Sequence, residues 1–184
     1  KEYDRALKLI EECYVYPHNL GEGKLPGAQE NDFNYYKARI LQETGHADEA
    51  RALYEAASVG NSQPAAAIYY NDQKPDKIFY QGLALLRLGR ETEARSRFNN
   101  LISYGEKHLY DVFKMDYFAV SLPDLQIWED DMDRKNVIHC NYLMGLGYLG
   151  LGDKTKAEKY FAAAAELDNN HQGVQVHRMM LNEK

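Results

Sequence analysis

The sequence predicts an all-α fold, a solenoid of short helix-turn-helix units. Three observations predict it. From Ile138 to Asn170 the chain reads as two helices joined by a tight Gly-Asp turn, with Gly152 where a left-handed residue ends the first helix at least cost. Within that unit small residues stand at Gly145 and Ala157, where two helices approach closely, and large ones at Tyr148 and Phe161, where they are wedged apart. The pattern then recurs: Ala38, Leu41, Gly45, Ala50, Tyr54 and Ala57 occupy the same slots in a first unit, and Gly82, Leu85, Gly89, Ala94, Phe98 and Leu101 in a second.

The units run from about 31 to 64, 75 to 108 and 138 to 171 within one domain spanning 1–184. Ala6, Ala50 and Ala94 are evenly spaced, so each connection carries an insertion of about ten residues beyond the repeat itself. This register resembles the tetratricopeptide repeat, a helix-turn-helix unit of about 34 residues. Departures from that pattern are Asn34, Ile78 and Asn141 for the bulky residue early in the first helix, and Ser62, Glu106 and Asn169 for the proline after the second. Without that proline the second helices are expected to run on, giving a less regular superhelix.

Taken in order, the opening segment KEYDRALKLIEECYVYP reads as the second helix of a unit whose first helix is absent, with Lys1 at the turn-glycine position and an apolar face of Ala6, Leu7, Ile10 and Tyr14. The expectation is a fragment of a longer chain. VYPHNLGEGKLPGAQEN is a loop; its GEGK lacks the spacing and preceding strand of a phosphate loop. In the insertion 109–137, Tyr110, Phe113, Tyr117 and Phe118 lie at helical spacing and predict an added helix, with Ser121 or Asp124 able to cap a short turn after it. EDDMD lacks the spacing, glycine and terminal Glu of a calcium loop. Residues 170–184 are expected to form a helix capping the stack, since a repeat buries its apolar face only against neighbours. His171 and His177, six apart, fall on different faces of such a helix and read as surface or packing residues.

Composition excludes several functions. A net charge of -6 with no basic stripe argues against a nucleic-acid partner. The apolar runs are too short to cross a bilayer, and no secretion signal is visible at Lys1, so a cytoplasmic location is expected. Cys13 and Cys140 lie within predicted helices without metal-type spacing and read as buried apolar thiols; His139 beside Cys140 points about 100° away on a helix. Neither metal nor cofactor is expected. The 15 tyrosines, against one Trp and six Phe, suit wedges between helices and binding surfaces alike.

The segments YPHNLGEGKL, YYNDQKPDKIFYQGLAL, YGEKHLYDVFKMDYFAVSLPDLQIWEDD and HCNYLMGLGYLGLGD resemble the C-terminal region of a family of large bacterial proteins of unknown function. In that family a β-rich N-terminal part with some likeness to carbohydrate-active proteins precedes tetratricopeptide repeats. The resemblance carries no catalytic residues. In tetratricopeptide arrays the first helices line a concave groove, and the resemblance puts Asp32, Tyr35, Arg39 and Gln42, then Asp76, Phe79, Leu83 and Leu86, then His139, Tyr142, Leu146 and Leu149 along it. Tyr35, Phe79 and Tyr142 form an aromatic ladder, with Asp32, Asp76 and His139 a turn away. Such a surface suits an extended peptide or a helix, including the N-terminal part of the same polypeptide. The aromatics equally suit filling space, or lying beneath the inserted helix. The expected function is a non-enzymatic interaction module; the alternative is an accessory module of a carbohydrate-processing protein, with the aromatics stacking on sugars. The carboxylates Asp32 and Asp76 are equivalent residues of adjacent units and make no credible acid/base pair.

Overall fold

The computed structural model describes residues 2–21, 23–67, 72–112 and 131–182. Among them the helices are α1 (Tyr3–Cys13), α2 (Asn31–Glu43), α3 (Ala47–Ser58), α4 (Pro75–Arg87), α5 (Glu91–His108), α6 (Met132–Gly150), α7 (Lys154–Leu167) and α8 (Gln172–Met180), with a 3-10 turn at His18–Leu20 in the first loop. This is an all-α helical repeat solenoid. The predicted helix bearing Phe113, Tyr117 and Phe118, and the caps Ser121 and Asp124, lie outside the described residues.

Within each complete repeat a first helix packs against the second: α2 on α3, α4 on α5, α6 on α7. Each second helix also meets the first helix of the next repeat, α3 on α4 and α5 on α6. The first helices form a row, α2 to α4 to α6, and α1 stands on α2 in the place of a second helix. Pro75 opens α4, where its missing N–H is no loss. Asp131 and Asp153 open α6 and α7 by accepting from the Arg134 and Lys156 amides. α5 runs on to His108, as its missing terminal proline allows, whereas α3 stops at Ser58.

The three turns share one chemistry. Gly45, Gly89 and Gly152 have φ of 89°, 75° and 80°. The amide after each donates back to the carbonyl five residues earlier: His46 to Leu41, Arg90 to Leu85 and Asp153 to Tyr148, all at 2.9 Å. The helix pairs then interlock by size. A Cβ on Gly145 would lie 2.4 Å from the Phe161 ring, and one on Gly82 would lie 2.3 Å from Phe98. Ala38, Phe98, Leu101, Phe161 and Ala164 are wholly buried as a result. Among the described residues no helix is long and apolar enough to cross a membrane.

Gly145→Val drives a side chain into the Phe161 ring and is expected to cost about 1 to 3 kcal/mol, as overpacking does, which lowers Tm by roughly 2 to 10 °C for a chain of this size. Adding Phe161→Leu is expected to restore part of that loss. An unchanged Tm in the single variant contradicts the interlock.

Candidate functional site

The row of first helices presents its fifth positions to one side, and there the structure seats the C-terminal helix. α8 packs on α7 and α6, and its His177 reaches α4. The His177 ring lies 5.3 Å from Phe79, 5.7 Å from Tyr80 and 5.8 Å from Tyr142, so it bridges rings that come from separate repeats. On the other side Tyr80 meets Tyr35 at 5.6 Å and Tyr36 at 5.4 Å. Tyr36 and Tyr80 also share a hydroxyl hydrogen bond of 2.9 Å. Tyr35 contacts Tyr54 at 5.9 Å and Tyr142 contacts Phe161 at 6.2 Å, which ties the ring chain into the interlocks of the first and last repeats.

The expected ladder is therefore present as residues but closed as a surface. Tyr35, Phe79 and Tyr142 are 4 %, 0 % and 4 % exposed. The ladder spacing left gaps between repeats, and Tyr80 and His177 fill them. Leu146 is fully buried, Leu83 and Leu149 are half-buried against the core, and Leu86 is 39 % exposed. The flat faces of the three ladder rings are closed by neighbouring side chains.

Asp32, Arg39, Gln42 and His139 of the row are held by protein partners. Asp32 pairs with Lys77 across α2 and α4. Arg39 lies over the Tyr35 ring at 6.0 Å, and Gln42 accepts from the Tyr54 hydroxyl at 2.8 Å. His139 stands apart from the ring chain. Its Nε2 donates to the Ala65 carbonyl at 2.8 Å, which ties α6 to the α3–α4 connection, and burial pulls its pKa down to about 4. Asp76 has a buried Oδ1 without a hydrogen-bond partner among the described residues, and burial raises its carboxyl pKa, with Lys77 opposing.

His177 is 2 % exposed. Its Nδ1 lies 2.7 Å from the Gly173 carbonyl and 3.1 Å from the Tyr142 hydroxyl. A carbonyl only accepts, so the proton sits on Nδ1, and Nε2 is buried without a partner among the described residues. Burial lowers its pKa. His171 lies just outside α8 as its N-cap, with Nδ1 accepting from the Val174 amide at 3.1 Å and its ring 4.7 Å from Tyr142. The expectation that the two histidines fall on different faces is thus corrected: helical spacing does not apply when one of them precedes the helix. Gly173 completes the seat, since a Cβ there would lie 2.4 Å from the Tyr142 hydroxyl oxygen.

Cys140 is buried and donates to Asn136 Oδ1, as expected of a small apolar thiol. Cys13 is exposed, against the expectation, because among the described residues nothing covers α1 on that side. Among the described residues no group of three or more His, Cys, Asp or Glu side chains is placed to hold a metal ion.

The tetratricopeptide repeat family model matches residues 138–171, the stretch from the body of α6 through α7 to the His171 cap. No solved structure matches the chain. Repeats of this kind generally mediate protein–protein interaction or scaffolding.

Three histidines, the buried His177 and the half-buried His139 and His171, set a pH dependence. His139, His171 and His177 all have folded pKa values below the ordinary 6.5. Between that value and about 4 for His139 the unfolded chain binds more protons than the folded one, so stability falls as pH falls. Asp76 acts with the opposite sign, nearer the carboxylate range. Urea midpoints taken from pH 7 to pH 4 are expected to decline, and less steeply in His139→Gln; a flat profile contradicts this burial.

Proposed function

We propose that the chain is a non-enzymatic interaction module whose first-helix row receives a helix, with α8 as the occupant in this structure. The observation that carries this reading is the insertion of His177 between Phe79 and Tyr142. Helix-in-groove recognition uses anchor side chains from one helical face, and α8 supplies Val174 and His177 three residues apart, both buried, while Val176 and Met179 remain exposed.

The ring chain fits this role because aromatic side chains give large contact area with few rotatable bonds. Two buried polar atoms at this seat, Asp76 Oδ1 and His177 Nε2, have no partner among the described residues. Such atoms cost free energy, so the α8 seat is weaker than its apolar contacts alone make it. A competing helix able to donate to Asp76 gains a hydrogen bond that α8 does not make. The partner class is therefore a protein or peptide helix, from another protein or from the rest of the same polypeptide.

Removal of the chain from Asn169 onward is expected to open the row. The truncated protein should bind a labelled peptide of residues 169–182 with Kd on the order of 10 µM, read by fluorescence anisotropy, while the full chain binds it at least tenfold more weakly. His177→Glu, which unseats α8 without truncation, serves if the shortened chain is unstable. Absence of peptide binding by a helical, monomeric truncated or His177→Glu protein sinks the reading.

A further inference from the structure

The seat of α8 holds two histidines in roles that only the neutral imidazole can play. His171, the N-cap, uses Nδ1 to accept from the Val174 amide at 3.1 Å. An imidazolium carries a proton on both ring nitrogens and accepts nothing, so protonation of His171 removes the cap. It also sets a positive charge against the positive end of the helix. His177 uses Nδ1 to donate to the Gly173 carbonyl at 2.7 Å, and its Nε2 is buried without a partner among the described residues. A proton added there makes a charged donor with no acceptor, set among the rings of Phe79 at 5.3 Å, Tyr80 at 5.7 Å and Tyr142 at 5.8 Å.

The charged groups around the pair do not reverse this. Asp76 of α4 and Asp32 of α2 face His177 and favour its protonated form, as Asp168 and Asp76 do for His171. Asp32 is engaged by Lys77, however, and Asp168 accepts from the Asn170 amide at 3.0 Å. Asp76 is itself desolvated, which raises its own carboxyl pKa. His171 opposes a charge on His177, and His139 of α6 lies close enough to His171 to feel its charge. Arg178 of α8 is turned to Glu158 of α7, and burial keeps Tyr80 and Tyr142 neutral. Burial is the largest influence on both histidines and holds each below the ordinary 6.5.

We propose that the seat of α8 is a proton-operated latch: protonation of His171 and His177 releases α8 and uncovers Phe79 and Tyr142 for a partner helix. The latch rests on the reading of the row as a helix-binding surface and adds what controls access to it. Release returns both imidazoles to water, where they take up protons. A histidine that stays neutral when seated and titrates near 6.5 when released favours release about tenfold between pH 7.5 and pH 5.5. Two such histidines favour it by up to about a hundredfold. α8 is nine residues long and buries only Val174 and His177 completely, so it opens alone, while the interlocks of Phe98 and Phe161 keep the repeats closed. The row is occupied at neutral pH and available in acid.

Amide hydrogen exchange in the whole chain, corrected for the intrinsic pH dependence of exchange, reads the latch. From pH 7.5 to pH 5.5 the protection of residues 174–180 should fall about tenfold or more beyond any fall in α7. His171→Asn keeps a helix cap, and His177→Asn keeps a donor near the place of Nδ1. Neither asparagine titrates, so each variant should remove part of the fall and the double variant all of it. NMR titration of the imidazole carbons needs no variant: both histidines should titrate lower in the chain than in a peptide of residues 169–182. Absence of α8 protection at pH 7.5 sinks the seat itself, and the latch with it. Protection at pH 7.5 that is constant with pH, or that rises in acid through pairing of His177 with Asp76, overturns the latch and leaves the seat standing. So does a fall shared equally by α7, a fall that the double variant retains, or histidines that titrate as they do in the peptide.

Discussion

The second and third repeats depend on rings that stand where the opposing helix has no side chain. Phe98 and Phe161 occupy the space that a Cβ on Gly82 and Gly145 would take. That interlock sets how closely the two helices of a repeat approach and fixes their rotation about their own axes. Once the rotation is fixed, the fifth and sixth positions of the first helices are brought into one line, and Tyr35, Tyr80, Phe79 and Tyr142 become neighbours across repeats. The row is thus a consequence of packing within each repeat. Its occupation by α8 is a second event, built on the first.

Occupation by α8 changes what the row can do. An open aromatic ladder offers anchors to many ligands, whereas a ladder bridged by His177 offers its ends and its rim. The contacts of α8 are unevenly divided: Val174 and His177 are buried, Arg178 reaches Glu158 on α7, and Met179 is in solvent. The ion pair is partly exposed, and such pairs contribute little. The binding free energy of α8 therefore rests on the buried Val174 and His177 with the half-buried Met180 and Leu181 beside them, and His177 carries a nitrogen with no partner among the described residues. That is the profile of a segment held by a modest margin.

Much of the fold is legible in the sequence because the repeat states itself three times. The turn glycines, the alanines of the second helices and the wedge rings can each be read from spacing, and each occupies the matching place in its own repeat. The site is legible in part. Tyr35, Phe79 and Tyr142 stand out because they share a position, but their burial does not, because it depends on Tyr80, one position on, and on His177, which lies outside the repeats. His171 misleads for a related reason: a residue that caps a helix does not obey that helix's periodicity. Residue type alone makes Cys13 a buried thiol, although its register points toward a first helix that α1 lacks among the described residues.

The most direct test is a double-mutant cycle on His177 and Phe79, using His177→Ala, Phe79→Leu and the double variant, with unfolding free energies from urea titration at pH 7. Side chains in contact couple by about 0.5 to 3 kcal/mol, whereas distant sites add within a few tenths. A coupling of at least about 0.5 kcal/mol is expected, since the two rings lie 5.3 Å apart. Strict additivity would mean that α8 does not occupy the row, and the row would then be an open surface.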